Sequence, residues 1–281
     1  AETRYYDAVG IRTRSIRAGS GEPVLFLHGI GATAETFARN IIPFSANFDA
    51  HAIDVLGHGL TETVNGSLSK EAFVGHVIAY MDAAGIERAH VIGVSLGGWL
   101  ATWTSLLHPD RVASVVNVVG SHLKVPVDEG SRRQAQAGLD ELKRLTKQLV
   151  DDPTRENLRA RLGYVFLHPD RDLPGELVDL RWALYRQSTN GKQVEAFVGN
   201  PGPDNLLTPE LLASIRHPAL LLWTDHNPST PAAAAEQAVS YLPHGKFALM
   251  KGCGHWPQWE DAPTFNRIVT EFLSQVRTAS R

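Results

Sequence analysis

A serine enclosed by glycines, between a strand pattern and a helix pattern, limits the folds open to this chain more than any other feature. Ser95 is the centre of Gly93-Val94-Ser95-Leu96-Gly97, with an apolar run at 89–92 before it and a helix-like stretch at 99–103 after it. A strand–turn–helix junction of this kind is strained, and a bulky side chain two positions from the serine would strike the neighbouring element. Such a junction raises the serine hydroxyl above a sheet and directs the amide of Leu96 at a substrate oxyanion.

Two further segments supply what a nucleophilic serine needs, in the chain order of the α/β-hydrolases. A buried-strand pattern ends in His28-Gly29-Ile30-Gly31, so Ile30 and Gly31 are candidates for the second oxyanion amide. Near the C-terminus, an apolar run leads to His255, a candidate general base. Serine first, acid next and histidine last is the hydrolase order, distinct from the orders of chymotrypsin and subtilisin. We therefore predict an α/β-hydrolase fold with Ser95 and His255 as catalytic residues.

The order of strand and helix patterns along the chain predicts an α/β core that is interrupted by one insertion. Strand and helix patterns alternate along residues 1–122 and resume along 213–281, which predicts a mostly parallel, doubly wound sheet. Between these parts, residues 123–212 lose the strand patterns and gain helical ones, with Leu145 and Leu149 on one face. We interpret 123–212 as a helical cap inserted into the α/β-hydrolase core.

The composition argues against several classes of partner. Lys plus Arg number 27 against 30 Asp plus Glu, so we predict no nucleic-acid partner and no anionic membrane surface. No apolar run approaches the roughly 18 residues of a membrane span, and the opening Ala1-Glu2-Thr3-Arg4 does not resemble a signal peptide. The single cysteine, Cys253, excludes an internal disulfide and fits a reducing compartment. We expect a cytoplasmic protein, and the sequence leaves the number of assembled chains open, a homo-oligomer included.

The segment Cys253-Gly254-His255-Trp256-Pro257-Gln258-Trp259-Glu260 carries a more specific resemblance. It resembles the meta-cleavage product hydrolases, which split carbon–carbon bonds in ring-opened aromatic compounds and carry their catalytic histidine in such a segment. The segment 176–182 is similar to the part of that family that holds a carboxylate-gripping arginine, here Arg181. A guanidinium suits this task because its fork binds a carboxylate bidentately. The resemblance also implies that Trp256 presses on the bound dienoate.

Three positions depart from the family pattern. The family's triad aspartate falls on Asn227, so either Asn227 or Asp225, two positions away, would complete the triad. Asn227 could accept a hydrogen bond from the imidazole but could not stabilise an imidazolium by charge. The family's oxyanion-loop asparagine falls on Arg39, with Asn40 beside it as a candidate for substrate binding. The asparagine usual before the nucleophile is replaced by Val94.

The resemblance implies a hydrolase that cleaves a carbon–carbon bond in a carboxylate-bearing small molecule of the 2-hydroxy-6-oxohexa-2,4-dienoate type. His255 would shift a proton to give the keto form, after which Ser95, or a water in its place, attacks the C6 carbonyl. Amides near Ile30 or Gly31 and that of Leu96 would hold the oxyanion. We expect no metal and no organic cofactor, because the conjugated substrate accepts the electrons and the 12 histidines form no metal-ligand spacing.

Three alternatives use the same residues. An esterase or lactonase would turn over colourless esters far faster than any yellow dienoate. In a cofactor-free oxygenase of this fold, His255 would deprotonate the substrate and Ser95 would not be a nucleophile. A ligand receptor built on a hydrolase scaffold would bind a partner in response to its ligand, with negligible turnover.

Overall fold

The computed structural model describes residues 1–62, 68–187 and 202–279, which form an eight-stranded sheet with helices around it. The strand order across the sheet is β1-β2-β4-β3-β5-β6-β7-β8. The first two pairings, β1 with β2 and β2 with β4, are antiparallel, and the others are parallel. The strands are β1 (Glu2–Ala8), β2 (Ile11–Gly19), β3 (Glu22–Leu27), β4 (Phe48–Ile53), β5 (Ala89–Val94), β6 (Val112–Val118), β7 (Ala219–Thr224) and β8 (Gly245–Met250). The predicted mostly parallel sheet is confirmed.

The middle of the sheet is buried on both faces, as continuous apolar runs require. Every residue of β4, β5, β6 and β7 is buried. Parallel strands of this kind need helices on both faces, and their carboxyl ends meet at one edge of the sheet. The loops that leave β3, β5, β7 and β8 therefore converge at that edge, and they carry most of the residues singled out in the sequence.

Eleven α-helices are present in the described residues, and side-chain caps begin several of them. Ser69, Asp128, Thr154 and Thr208 each accept a hydrogen bond from a backbone amide in the first turn of the helix that follows. The helices are α1 (Ile41–Ser45), α2 (Lys70–Ala83), α3 (Leu96–Leu107), α4 (Glu129–Asp151), α5 (Arg155–Gly163), α6 (Pro169–Asp172), α7 (Gly175–Gln187), α8 (Pro209–Ser214), α9 (Ala232–Val239), α10 (Pro257–Glu260) and α11 (Ala262–Ala279).

The described part of the chain between β6 and β7 is mainly helical and lies against the site loops. Helices α4 to α8 occupy it, and its one sheet-like feature is an isolated bridge between Leu123 and Leu207. A side chain on Gly138 of α4 would overlap the carbonyl of Pro228, which follows β7. The boundaries of the cap at 123 and 212 remain a prediction, and its residues 188–201, like 280–281 of the core, lie outside the described ranges.

Candidate active site

Ser95 lies on a sharp turn between β5 and α3. Its backbone has φ 58° and ψ −116°, a left-handed conformation that costs a non-glycine residue energy. The amide of Ser95 donates to the carbonyl of Val118 at 2.9 Å, which ties the turn to β6. A side chain on Gly93 would overlap the backbone of Gly97, and one on Gly97 would overlap the carbonyl of Leu27. The turn is therefore as tight as the sequence pattern predicts.

The loop after β3 runs beside Ser95. A Cβ atom on Gly29 would lie 3.2 Å from Cβ and 3.7 Å from Oγ of Ser95, so only glycine allows this approach without a shift. Ile30 and Gly31 line the same cavity as Ser95. The amide of Leu96 is the first of α3, and the first amides of a helix have no partner within it. Amide donors from both loops are thus available near the serine hydroxyl.

A buried ion cluster holds the loop after β3, and the sequence patterns gave no sign of it. Arg14 donates to Glu35 at 2.7 and 2.8 Å and to Asp54 at 2.7 and 3.0 Å. Asp54 also accepts from the amide of Ala34 at 2.7 Å. Burial opposes the charge on Arg14, but the hydrogen bonds to both carboxylates outweigh it and raise its pKa above the usual range. The cluster fixes the loop from two sides.

The imidazole of His255 is bonded to Asn227. His255 Nδ1 and Asn227 Oδ1 are 2.7 Å apart, and both residues are buried. Asn227 Nδ2 donates to the carbonyl of Thr230 at 2.7 Å, so the amide oxygen, and not its nitrogen, faces the ring. An oxygen can only accept, and His255 Nδ1 therefore carries the proton. This tautomer leaves the Nε2 lone pair free to accept a proton.

Asp225, the other candidate for the acid, faces away from His255. Its carboxylate accepts from the amide of Gly252 at 2.9 Å and contacts His226 Nδ1 at 2.8 Å. Asp225 is exposed directly after β7, whereas Asn227 turns inward. The alternative in which Asp225 supplies the missing carboxylate does not agree with this geometry, because its oxygens bind the turn after β8.

Burial controls the charge of His255. Burial, together with a smaller effect of the nearby positive charge of Arg161, lowers the pKa of the imidazole to about 4. With Asn227 as its partner, the ring lacks the adjacent carboxylate that would raise this pKa again. His255 is therefore neutral at pH 7, as a general base must be before it accepts a proton.

Glu260 fastens the histidine loop. Its carboxylate accepts hydrogen bonds from the amides of Gly254 at 3.0 Å, Trp256 at 3.1 Å and Leu167 at 2.9 Å. The amide of His255 donates to the carbonyl of Val165 at 2.7 Å. The loop that carries the histidine is thus bound directly to the helical segment above it. Burial raises the pKa of Glu260.

Ser95 and His255 line one cavity at the carboxyl edge of the sheet, beneath helices α4, α5 and α7. Ser95 Oγ and His255 Nε2 form no direct hydrogen bond. In enzymes without substrate, catalytic hydrogen bonds of this kind are often long and shorten only when substrate is bound. The cavity is mainly apolar, with two arginines. Its lining includes Gly29, Ile30, Gly31, His58, Ser95, Leu142, Thr146, Leu149, Leu158, Arg161, Tyr164, Arg181, Leu184, Tyr185, His255 and Trp256.

Arg181 and Trp256, which the family resemblance singles out, both line this cavity. Arg181 is 5 % exposed, and its guanidinium donates to the carbonyl of Gly31 and, at 3.5 Å, to Thr33 Oγ1. Burial lowers the pKa of Arg181 to about 10, so the group keeps its charge at pH 7. Trp256 is 4 % exposed and lies 5.3 Å from the ring of Phe166, measured between ring centres.

Asn40 does not line the cavity, contrary to its predicted role in substrate binding. Its Nδ2 donates to the carbonyl of Gln258 at 3.1 Å and to Asn266 Oδ1 at 2.8 Å. Arg39 beside it donates to the carbonyl of Trp259 at 2.7 Å. These residues lie where the loop after β3 meets the two C-terminal helices, so their side chains join elements of the core.

Cys253 is 1 % exposed, and burial raises the pKa of its thiol to about 12. It is thus a small buried residue and not a thiolate. In the described ranges, no group of three or more His, Cys, Asp or Glu side chains is arranged to hold a metal ion. A helix with the length and apolarity to cross a membrane is likewise missing from those ranges.

A family model described as the alpha/beta hydrolase fold matches residues 22–262. The match covers most of the chain, which therefore belongs to the α/β-hydrolase fold family.

Within this family, the chain's relatives are meta-cleavage product hydrolases. It is 32 % identical to a 2-hydroxy-6-oxononadienedioate/2-hydroxy-6-oxononatrienedioate hydrolase of Paraburkholderia phymatum, over 92 % of this chain and 89 % of the relative. It is 31 % identical to the enzyme of that name from Burkholderia vietnamiensis, over 95 % and 92 % of the two chains. A solved meta-cleavage product hydrolase from Pseudomonas fluorescens is 25 % identical, with a TM-score of 0.80 over 97 % of each chain.

Proposed function

We propose that this protein hydrolyses a carbon–carbon bond in a 2-hydroxy-6-oxohexa-2,4-dienoate that bears a further group at C6. The observation that carries the proposal is one cavity lined by Ser95, His255 and Arg181, with His255 Nδ1 bonded to Asn227. The names of the chain's relatives point to the same reaction. The proposal also assigns residues 123–212 the role of a cap over this cavity.

Arg181 binds the C1 carboxylate of the substrate. Its guanidinium is buried and charged, and in the absence of substrate it donates to the carbonyl of Gly31, a neutral acceptor. A carboxylate is a stronger partner for a desolvated guanidinium and accepts two parallel hydrogen bonds. Binding at this end directs the other carbons of the chain towards Ser95, while Trp256 covers the conjugated carbons.

The first chemical step moves a proton within the substrate. His255 Nε2 accepts the proton of the 2-hydroxyl group and returns it to C5, which converts the dienol into its 2-keto form. The neutral state and the Nδ1–H tautomer of His255 suit this task, because they leave a lone pair on Nε2. The new 2-keto group is the electron acceptor for the next step, and no organic cofactor is required.

The second step breaks the bond between C5 and C6. Ser95, deprotonated by His255, attacks the C6 carbonyl, and the amides of Leu96 and of Ile30 or Gly31 bind the oxyanion. The C5–C6 bond electrons pass to the 2-keto oxygen, which takes up a proton, and a water then releases the acyl group from Ser95. The products are 2-hydroxypenta-2,4-dienoate and the carboxylic acid formed from C6.

Asn227 acts by holding the imidazole in the productive tautomer. In a serine protease, replacing the triad aspartate by asparagine costs roughly 10⁴ in rate, largely because the ring adopts the wrong tautomer. Here the hydrogen bond from Asn227 Nδ2 to Thr230 removes that cause, because it turns the amide oxygen to the ring. What Asn227 lacks is the charge that would stabilise an imidazolium.

The test is to mix the purified protein with dienoates that carry alkyl or aryl groups at C6 and to follow the loss of their visible absorbance. We expect turnover by the wild type and a loss on the order of 10⁶-fold in kcat for Ser95→Ala, as for the nucleophile of a serine protease. Ser121→Ala, which changes a serine near the turn that does not line the cavity, is the matched control.

The rival functions predict other outcomes of the same assay. Turnover of simple esters with no turnover of any dienoate would point to an esterase or lactonase. Near-normal activity of Ser95→Ala would point to an oxygenase in which His255 acts alone. Ligand binding without turnover would point to a receptor.

A further inference from the structure

Two arginines line the cavity, and only one of them has a role in the function proposed above. Arg181 lies on α7 and Arg161 on α5, so they enter the cavity from different helices. No carboxylate of the described residues lies within salt-bridge distance of either guanidinium. The pKa of each is lowered to about 10, in both cases mainly by burial, and the charge of Arg181 contributes to the lowering for Arg161. A mainly apolar cavity with two positive charges is electrostatically unbalanced until anions bind.

The surroundings of Arg181 compensate for its charge in part. The negative charges of Glu35 and Asp54 favour the charged form of Arg181, while Arg14 disfavours it. Two carboxylates and one guanidinium leave that cluster with one excess negative charge. Arg181 thus has a counter-charge within the protein, although no carboxylate touches it.

Arg161 lacks this compensation. The Nε of Arg161 donates to Thr146 Oγ1 at 2.9 Å, and this hydroxyl, on α4, is neutral. Apart from burial, the groups that act on its charge are Arg181, which disfavours it, and Tyr164, which favours it. A guanidinium has five N–H donors, so most of its hydrogen-bonding capacity is left for a ligand.

The two guanidiniums also act on different parts of the site. The charge of Arg181 lowers the pKa of His28 and His58, at the loops after β3 and β4. The charge of Arg161 lowers the pKa of His255. The contacts agree with this division, because the Arg181 guanidinium donates to the carbonyl of Gly31 in the loop after β3, whereas Arg161 lies one turn before Val165, whose carbonyl accepts from the amide of His255. A substrate whose C1 carboxylate binds Arg181 therefore extends past Ser95 towards Arg161.

We propose that Arg161 binds a second carboxylate of the substrate, on the group attached to C6, and so selects dicarboxylates. This inference rests on the proposed function and names its substrate class. Hydrolysis then adds a hydroxyl to C6, breaks the C5–C6 bond and releases a dicarboxylic acid together with 2-hydroxypenta-2,4-dienoate. Leu142, Leu149 and Leu158 contact the carbons between C6 and the second carboxylate, since they line the cavity on α4 and α5.

The test compares two substrates that differ only at the far end. 2-Hydroxy-6-oxonona-2,4-dienedioate has a carboxylate at C9, and 2-hydroxy-6-oxonona-2,4-dienoate has a methyl group there. We expect the wild type to prefer the dicarboxylate in kcat/KM, and Arg161→Met to lower this preference on the order of 100-fold, as expected when one partner of a buried charge pair is lost. Arg161→Lys should restore part of the preference, since it returns a positive charge without the fork.

The ratio of the two substrates isolates recognition from chemistry. Arg161→Met also removes a charge that acts on His255, but that effect is common to both substrates and cancels in the ratio. Arg159→Leu is the matched control, because Arg159 lies on the same helix without lining the cavity, and it should leave the ratio unchanged. A purely structural role of Arg161, through Thr146, would lower the activity on both substrates equally.

The possible outcomes separate this inference from the proposed function. If the wild type cleaves neither substrate and none of the other alkyl- or aryl-substituted dienoates, the proposed function is wrong. If it cleaves only dienoates other than these two, this inference is wrong. If it cleaves the monocarboxylate as well as the dicarboxylate, or Arg161→Met changes both alike, this inference is wrong and the proposed function stands. Should Arg161→Met fail to fold, product inhibition of the wild type decides: stronger inhibition by succinate than by butyrate supports the inference, and equal inhibition overturns it.

Discussion

The sheet and the helical segment above it are packed in different ways. Four central strands are buried along their whole length, and Ser95 is held in its left-handed conformation by the close approach of Gly93, Gly97 and Leu27. The 23-residue helix α4, by contrast, buries only Gly138, Leu145, Thr146 and Leu149. Its outer face carries exposed ion pairs such as Arg144 with Glu141, which solvent screens and which add little to stability.

This difference assigns two tasks to two parts of the molecule. A strained nucleophile needs a dense surrounding to keep its geometry, and the sheet provides it. The helical segment has fewer buried contacts and a lower expected local stability, which suits an element that must admit a substrate. Both cavity arginines lie on that segment, so recognition belongs to the more loosely packed part and bond cleavage to the sheet. Substitutions in each part should therefore affect different kinetic parameters.

The largest effect in the helical segment is expected for Arg181→Met. Loss of the group that binds the C1 carboxylate should lower kcat/KM on the order of 10³-fold, because a buried charge pair is removed. Arg186→Met, in the last turn of the same helix with its guanidinium 6.0 Å from the ring centre of Trp182, is the control and should have little effect. Steady-state kinetics on the preferred dienoate measure both, and an equal loss in the two variants would contradict a carboxylate site at Arg181.

A smaller effect is expected on the sheet side for Asn227→Asp. A carboxylate next to His255 stabilises the imidazolium, so it should raise the pKa of His255 from about 4 and move the acid limb of the pH profile of kcat/KM to higher pH. We expect kcat at pH 8 to rise about 10-fold, less than the 10⁴ seen in a protease because the tautomer is already correct.

Asp225→Asn is the matched control for this change, because Asp225 binds Gly252 and not His255. It should leave the acid limb where it is. An acid limb that moves with Asp225→Asn and not with Asn227→Asp would contradict the assignment of Asn227 as the partner of His255.

The protonation of His255 also affects the stability of the wild type. His255 gains its proton near pH 6.5 when unfolded but near pH 4 when folded, so the free energy of unfolding falls as the pH drops from 6.5 towards 4.

The sequence predicted local features well and contacts between distant segments poorly. The turn at Ser95 is set by neighbours within two positions, so its motif was sufficient. The direction of a side chain in the loop after β7 depends on what the loop packs against, and sequence alone could not separate Asp225 from Asn227. Arg161 was missed because three arginines, at positions 155, 159 and 161, fall within two turns of α5. Only the position of the cavity distinguishes one of them.

The smallest kinetic effect is expected for Asn40→Ala, which tests the substrate-binding candidate that does not line the cavity. Asn40 joins the loop after β3 to Gln258 and Asn266, so its loss should cost about 1–3 kcal/mol of stability through unmade buried hydrogen bonds. We expect kcat/KM to change by less than about 3-fold, since substitutions away from a site seldom alter its chemistry. Thermal unfolding and steady-state kinetics measure the two quantities.

The double variant Asn40→Ala with Asn266→Ala should be less destabilised than the sum of the two single variants, because the two side chains share one hydrogen bond. A large loss of kcat/KM at unchanged stability for Asn40→Ala would instead indicate that Asn40 binds the substrate. It would contradict the conclusion that the helical segment recognises the substrate while the sheet provides the catalytic residues.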